Sequence, residues 1–418
     1  MIATNVFVTN MFVYGENNTN RRESLNMPTP SIAIIGAGLS GLVCARILQQ
    51  HGVPVTVYEA DASATARQQG GSLDIHHDTG QIALKEAGLY QEFLKHTHPQ
   101  GESVRVLDKN AKVYVDEVER DGGNGRPEID RTVLRGMFID SLTPGTIRWG
   151  RKLRAVRAAG HGYELEFSDG GRENAGFLVG ADGAWSKVRA LLTDVKPRYT
   201  GISMVEFRLS DAPTRHPRAL TVTGHGSLFA ASDQRYIGGH GGEQIVLALG
   251  MRAPEEWISG TGIDWADSAA VRQMLLQELP DWSPQLTDLI RDSDDGLNPR
   301  PIYALPTGTT WEPRHGVTLI GDAAHLMSPF AGEGANLAMI DGADLALSIV
   351  READPNAAIA AYEKKMFPRG AKSAAASQKG LERIFVDGPP KKLAAFFRRM
   401  NLLVTAVRPL EKLIATFR

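Results

Sequence analysis

A short apolar run, Ser31-Ile32-Ala33-Ile34-Ile35, leads straight into Gly36-Ala37-Gly38-Leu39-Ser40-Gly41. No other stretch constrains the fold so tightly. The run is rich in β-branched residues, as a strand buried on both faces is. Residues 42–50 then have helical character, Gly52 is placed to stop the helix, and 53–59 reads as a second strand. Strand, glycine turn, helix and strand within about thirty residues open a doubly wound α/β sheet. In that context G-x-G-x-x-G is a dinucleotide fingerprint. Its glycines let the backbone turn tightly and approach a pyrophosphate, and the helix N-terminus supplies unpaired N–H groups and a positive dipole. Glu59 closes the second strand, 23 residues after Gly36, where it can accept hydrogen bonds from a ribose. An acid there favours an unphosphorylated ribose, hence FAD or NAD over NADP. Gly36, Gly38, Gly41 and Glu59 are therefore candidate cofactor ligands, but the fingerprint alone does not separate the two cofactors.

The rest of the composition mostly excludes. A chain of 418 residues is long enough for a large core and more than one domain. A formal charge of −2 argues against a nucleic-acid partner, which needs a concentrated basic surface. No segment approaches about 18 consecutive apolar residues, so no membrane-spanning helix is expected. Cys44 is the one cysteine, which rules out an intrachain disulfide or a cysteine metal cluster and fits a cytoplasmic location. His76-His77 is no metal pair, because adjacent strand residues point to opposite faces. There is neither a G-x-S-x-G elbow nor a Walker loop. Residues 1–26 are polar and unpatterned, and Arg21 and Arg22 follow their apolar residues instead of preceding them, unlike a signal peptide.

Further along, strands are expected at 146–149, 163–167, 177–180 and 317–320, with helices at 271–279 and 333–350. Between 202 and 251 short β runs alternate with glycine-rich turns, Gly238-Gly239-His240-Gly241-Gly242 among them. A change from α/β to mostly β points to a second domain laid against the first. Residues 391–418 are basic and amphipathic, with Leu393, Phe396, Phe397, Met400, Val404 and Val407 as an apolar stripe. Such a stripe is first a packing surface, so membrane association is not expected.

Two later motifs separate FAD from NAD. Gly180-Ala181-Asp182-Gly183, with Ser186 and Arg189, resembles the D-G motif of the group A flavoprotein monooxygenases. Leu319-Ile320-Gly321-Asp322-Ala323-Ala324-His325, followed by Pro329 and Gly332-Glu333-Gly334-Ala335-Asn336, resembles their G-D motif. That family more often has glutamine where this chain has Glu333, a carboxylate that would oppose charge on a reduced flavin. Closer still, Tyr58-Glu59, Arg67, Gly70 to His76, Gly80-Gln81, Glu128-Ile129-Asp130-Arg131, 149–153, 186–189 and 360–367 resemble the tetracycline-inactivating monooxygenases of the Tet(X) type.

The resemblance implies a doubly wound, Rossmann-like FAD-binding domain with a β-rich substrate domain and a C-terminal helix. It places the FAD-binding domain at 30–89, 112–190 and 280–335, and the substrate domain at 90–111 and 191–279. A helical segment at 336–418 and a disordered tail at 1–29 complete the chain. It implies an enzyme that uses NADPH or NADH as a transient co-substrate, and O2. The enzyme would hydroxylate an electron-rich aromatic or enolic carbon through a flavin C4a-hydroperoxide, with tetracyclines as suspected substrates. Another phenolic or polyketide substrate, or an FAD-holding sensor, is the alternative. Arg67 would contact the nicotinamide cofactor; Asp74, Arg131, Asp182, Asp322 and Gly334 would line the FAD site. Glu206 stands where that family has a glutamine for the antibiotic, and Val246 where it has a histidine. With Phe229 and Pro329 they form the expected substrate pocket. No catalytic side chain and no metal are expected, since the flavin carries the chemistry, and the chain should act as a monomer.

Overall fold

The strands β1 (Ile32–Ile35), β2 (Val55–Tyr58), β7 (Ile147–Arg148), β11 (Phe177–Gly180) and β17 (Val317–Leu319) form a parallel sheet in the order β17-β11-β1-β2-β7. Every residue of β1, β11 and β17 is buried, the signature of a parallel sheet covered on both faces. This computed structural model describes residues 32–66, 70–97, 103–117, 125–386 and 388–399; the expected tail, Arg67 and the chain beyond 399 lie outside them. Sheet order reverses direction at β1, so the cleft outside its C-terminal end is the switch point where such sheets bind ligands. Helix α1 (Leu39–Gln50) follows β1 directly. Helices α2 (Gly80–Glu86), α3 (Tyr90–Lys95), α4 (Arg131–Asp140), α10 (Asp322–His325), α11 (Gly334–Arg351) and α12 (Pro355–Ile384) complete this layer. Strands β3 (Ser72–Asp74) and β6 (Glu128–Asp130) pair beside it, and β8 (Leu153–Ala159), β9 (Gly162–Phe167) and β10 (Arg172–Ala175) form a small antiparallel sheet.

The second layer is a seven-stranded sheet. Its strands are β4 (Val104–Leu107), β5 (Val113–Glu117), β12 (Arg198–Leu209), β13 (Ser227–Ser232), β14 (Arg235–His240), β15 (Ile245–Arg252) and β16 (Asn298–Ala304). They lie in the order β16-β12-β15-β14-β13-β4-β5. Short helices α5 (Ala212–Arg215), α6 (Pro217–Thr223) and α7 (Trp257–Gly260) accompany α8 (Ser268–Gln277) and α9 (Pro284–Arg291). Side chains alternate along a strand, so register sorts them onto two faces. Val205, Phe207, Leu228, Ile237, Leu247 and Leu249 share one face and form a core with Val271, Leu275, Leu286 and Leu289 of α8 and α9. Met204, Glu206, Arg208, Phe229, Tyr236, His240 and Val246 share the other.

Three expectations change. β5 and β16, read from the sequence as belonging to the FAD-binding part, pair into the seven-stranded sheet, and α9 packs on it. Strand pairing is non-local, and 112–117 and 284–304 go where their partners are. Gly238-Gly239-His240 is not a turn: it ends β14, paired on both sides, and only Gly241-Gly242 turns. The amphipathic C-terminal stripe packs as far as it is described. Residues 389–399 are helical, Leu393 and Ala394 are buried, and the Phe397 ring lies 5.1 Å from that of Phe229.

Candidate active site

The glycine turn divides its labour. Gly36 has φ +110°, and a Cβ there would lie 2.3 Å from the Ala181 carbonyl oxygen; one on Gly41 would lie 2.2 Å from the oxygen of Gly36. Those two serve the fold. Gly38 is exposed, has nothing within 4 Å of a built Cβ, and starts α1 with no side-chain cap. Its freedom leaves backbone N–H groups open to a ligand. Glu59, 8% exposed, accepts from Ala37 N at 2.6 Å and Asp61 N at 2.8 Å. Each oxygen keeps a lone pair.

Helix α4 brings two arginines to the same place. Asp130 caps it, accepting from Thr132 N and Val133 N, a contribution of about 1 kcal/mol that fixes the first turn. Arg131 begins the helix and Arg135 lies one turn on. Arg135, which the sequence gave no reason to single out, is buried and donates to Ala37 O at 3.0 Å and Ala64 O at 3.0 Å. Gly38, Leu39, Ser40, Arg131, Arg135, Ala181, Gly183, Asp322, Gly334, Ala335 and Ala338 line one cleft of about 590 Å³, within the range of cofactor sites.

Asp322 opens α10 on the floor of that cleft. Among the described residues no hydrogen-bond donor reaches its carboxylate. Burial by the surrounding protein pushes its pKa up, against the pull of His325 and Arg131. The turn beneath it is held from behind. Asp341 of α11, 0% exposed, accepts from Gly321 N at 3.0 Å, contacts His325 Nε2 at 2.5 Å and pairs with Arg369 of α12 at 2.9 Å. Burial would raise the Asp341 pKa, but His325 and Arg369 hold it below the carboxylate range. Gly334 opens α11 with free space around it, and no side chain caps that helix. Glu333 turns its carboxylate away, to the Ser373 hydroxyl of α12, so the charge expected to face the flavin is engaged elsewhere.

Asp182 likewise looks inward. It accepts from Ser186 Oγ at 2.5 Å, Lys187 N at 2.7 Å and Val188 N at 3.3 Å, while Arg189 ties Ala184 O and Ala323 O together. These residues shape the loop that presents Ala181 and Gly183; the Asp182 carboxylate itself is spent on that loop. Asp74 ends β3 and contacts His76 at 2.9 Å. Burial would raise its pKa, but His76, Arg126 and His240 lower it. Asn336 fastens this strand to α11, donating to Asp74 O and accepting from His76 N, each at 2.8 Å.

The four expected pocket residues do not all meet. Glu206 and Val246 lie on the same sheet face, with Glu206 between Arg208 and Arg300 at 3.4 Å each. Glu206 Oε1 lies 3.0 Å from a Cβ built on Gly70, so the two layers nearly touch there. Phe229 shares the face but packs among Tyr236 and Phe397. Pro329 is exposed, and its neighbour Phe330 joins that aromatic group through Tyr236 and Phe385. Among the described residues no helix is long and apolar enough to cross a membrane.

Two uncapped helix N-termini, paired arginines and an unpartnered carboxylate facing one cleft suit FAD: anion-binding groups for a pyrophosphate and an acceptor for hydroxyls. A cleft of this kind at a sheet switch point defines a dinucleotide-binding oxidoreductase. The chain belongs to the FAD binding domain family, whose pattern matches residues 29–223 and 310–377, and it is an FAD-dependent monooxygenase with NAD(P)H as co-substrate. Monooxygenase penA of Penicillium thymicola is 30% identical, over 82% of this chain and 92% of penA. Among solved structures, Klebsiella pneumoniae HpxO complexed with FAD has a TM-score of 0.74 at 20% identity, covering 90% of this chain and 97% of that one. Tetracycline destructase Tet(51) has a TM-score of 0.64 at 21% identity, covering 91% and 97%. At such identities the likeness is one of fold.

Proposed function

We propose that this monooxygenase acts on a small molecule with a phenolic or enolic ring, as the Tet(X)-type enzymes do, and that tetracyclines or related polyketides are its substrates. The observation that carries this is the polar row Glu206, Arg208 and His240, which the seven-stranded sheet turns toward the layer that holds Asp74 and the start of α11. Bound FAD, reduced by NAD(P)H, supplies the oxygen activation that places one oxygen atom on the substrate. The chain's own part is to bind, orient and exclude water. Arg131, Arg135 and the α1 N-terminus hold the pyrophosphate, and Glu59 takes the ribose. Asp322 accepts from the ribityl chain, Asp74 adds a further contact, and Arg67 meets the nicotinamide cofactor. The α11 N-terminus stabilises negative charge on the reduced ring. The sheet closes over the ring face and keeps water out. Val246 and Glu206 replace a histidine and a glutamine, so substrate recognition differs from the Tet(X) pattern. The FAD-binding part then comprises 32–89, 125–190 and 305–335, and the substrate part 103–117 and 191–304. A cytoplasmic location belongs to the same proposal, supported by the single cysteine.

The test is NADPH and NADH consumption with and without tetracyclines and simple phenols, with product masses. Substrate-stimulated consumption and a gain of one oxygen are expected, and Asp322→Ala should lose its flavin on purification. Consumption indifferent to every compound, with no oxygenated product, overturns the substrate class. Undiminished flavin in Asp322→Ala removes that residue from the site.

A further inference from the structure

Glu128 and His240 form an ion pair that joins the two layers. Glu128 opens β6 directly opposite Asp74, and its side chain is only 5% exposed. His240 ends β14 beside Val246, on the face that carries Glu206. The Nδ1 of His240 lies 2.6 Å from Glu128 Oε1, at a geometry too bent for a hydrogen bond. Asp74 faces the same imidazole from β3, joined to His76 at 2.9 Å and to Arg126 at 3.8 Å. From β12, Arg208 with Glu206 stands one strand further away, across Val246. Asn336 connects the group to the flavin end of α11, two residues past the cleft-lining Gly334.

A carboxylate so buried needs a cation, and the imidazole touches it. Burial opposes a charged imidazole here, yet Glu128 and Asp74 more than offset it and raise the His240 pKa. With Nδ1 directed at Glu128, Nε2 is left for an incoming molecule, and the side chain is 31% exposed.

We propose that His240, backed by Glu128, holds the substrate through an ionised phenolic or enolic oxygen. This rests on the hydroxylase reading and makes that site specific for an ionisable hydroxyl. The substrate O–H bond breaks and leaves its electron pair on oxygen. The proton goes to Nε2 where the imidazole is neutral, and to solvent where it is already charged. Either way an imidazolium Nε2–H donates to the oxyanion. The oxyanion raises electron density at the adjacent ring carbons, the positions an electrophilic oxygen attacks. This is the histidine–carboxylate logic of acid–base sites.

The test uses the FAD-loaded full chain and para-nitrophenol, whose phenolate absorbs in the visible. On binding to the unaltered chain, its ionisation midpoint should fall by about one pH unit, a tenfold shift. His240→Gln and Glu128→Gln should lose most of that shift while keeping the flavin spectrum. A para-nitrophenol spectrum unchanged by the unaltered chain, or a shift that survives His240→Gln, overturns the proposal. The unaltered chain decides even where a variant misfolds. Phenolate binding without any oxygenated product would remove the hydroxylase reading and leave this one. Oxygenated products without a phenolate shift would remove only this one.

Discussion

Gly36 and Gly38 differ by two positions and by their whole purpose. At Gly36 a methyl group meets Ala181 O in a backbone conformation with φ +110°, so Gly36→Ala should cost the apoprotein about 1–3 kcal/mol or more. At Gly38 the φ is −78° and the space is open, so Gly38→Ala should leave apoprotein melting unchanged. Its methyl would sit where the cofactor backbone approaches and should weaken FAD binding by about tenfold. Calorimetry of the apoprotein and flavin fluorescence titration separate the two; equal effects of both variants on melting would refute the division. The sequence marked both glycines as ligands, because the motif is written in residue types and not in neighbours. Asp182 shows the same limit: its motif was legible, but the carboxylate closes its own loop. Glu333 too is understood only once Ser373 is seen to take its carboxylate.

At the scale of elements, α10, α11 and α12 are locked by His325, Asp341 and Arg369. Burial lowers the His325 pKa, but Asp341 raises it further, and the net is upward. That raised group contributes stability in full below the ordinary histidine range, and the contribution is lost as pH rises through the raised value. Asp341 is depressed, so its contribution is present above the ordinary carboxylate range and lost as pH falls through its lowered value. Thermal melting of the apoprotein should therefore show a plateau between those limits. Asp341→Asn should cost about 3–5 kcal/mol and flatten the acidic limb. A variant with unchanged melting at all pH values would show that the lock does not brace the turn. The elements themselves were largely readable: β1, α1, β2, β11, β17 and α11 form where periodicity and glycine placed them. Gly238-Gly239-His240 was not, since glycine usually marks turns and only pairing with β13 and β15 makes these residues strand.

The molecule as a whole is two layers under a C-terminal cover. Leu393 and Ala394 are buried against the sheet face that holds Phe229, Tyr236 and Phe385. Leu393→Ala should lower stability by about 2–3 kcal/mol, read by denaturant melts; a neutral result would mean the helix is not docked in solution. The sequence by itself determined the doubly wound start, the dinucleotide turn and the flavin motifs, because each depends on residues close along the chain. Only the tertiary structure decided which side chains face the substrate. Arg135, His240 and Glu128 carry no local signature, and β5 and β16 changed layers from what was expected. Their roles arise from strand register and from contacts between segments about a hundred residues apart. The fingerprint said that a dinucleotide is held; the packing of one sheet on the other says what can reach it.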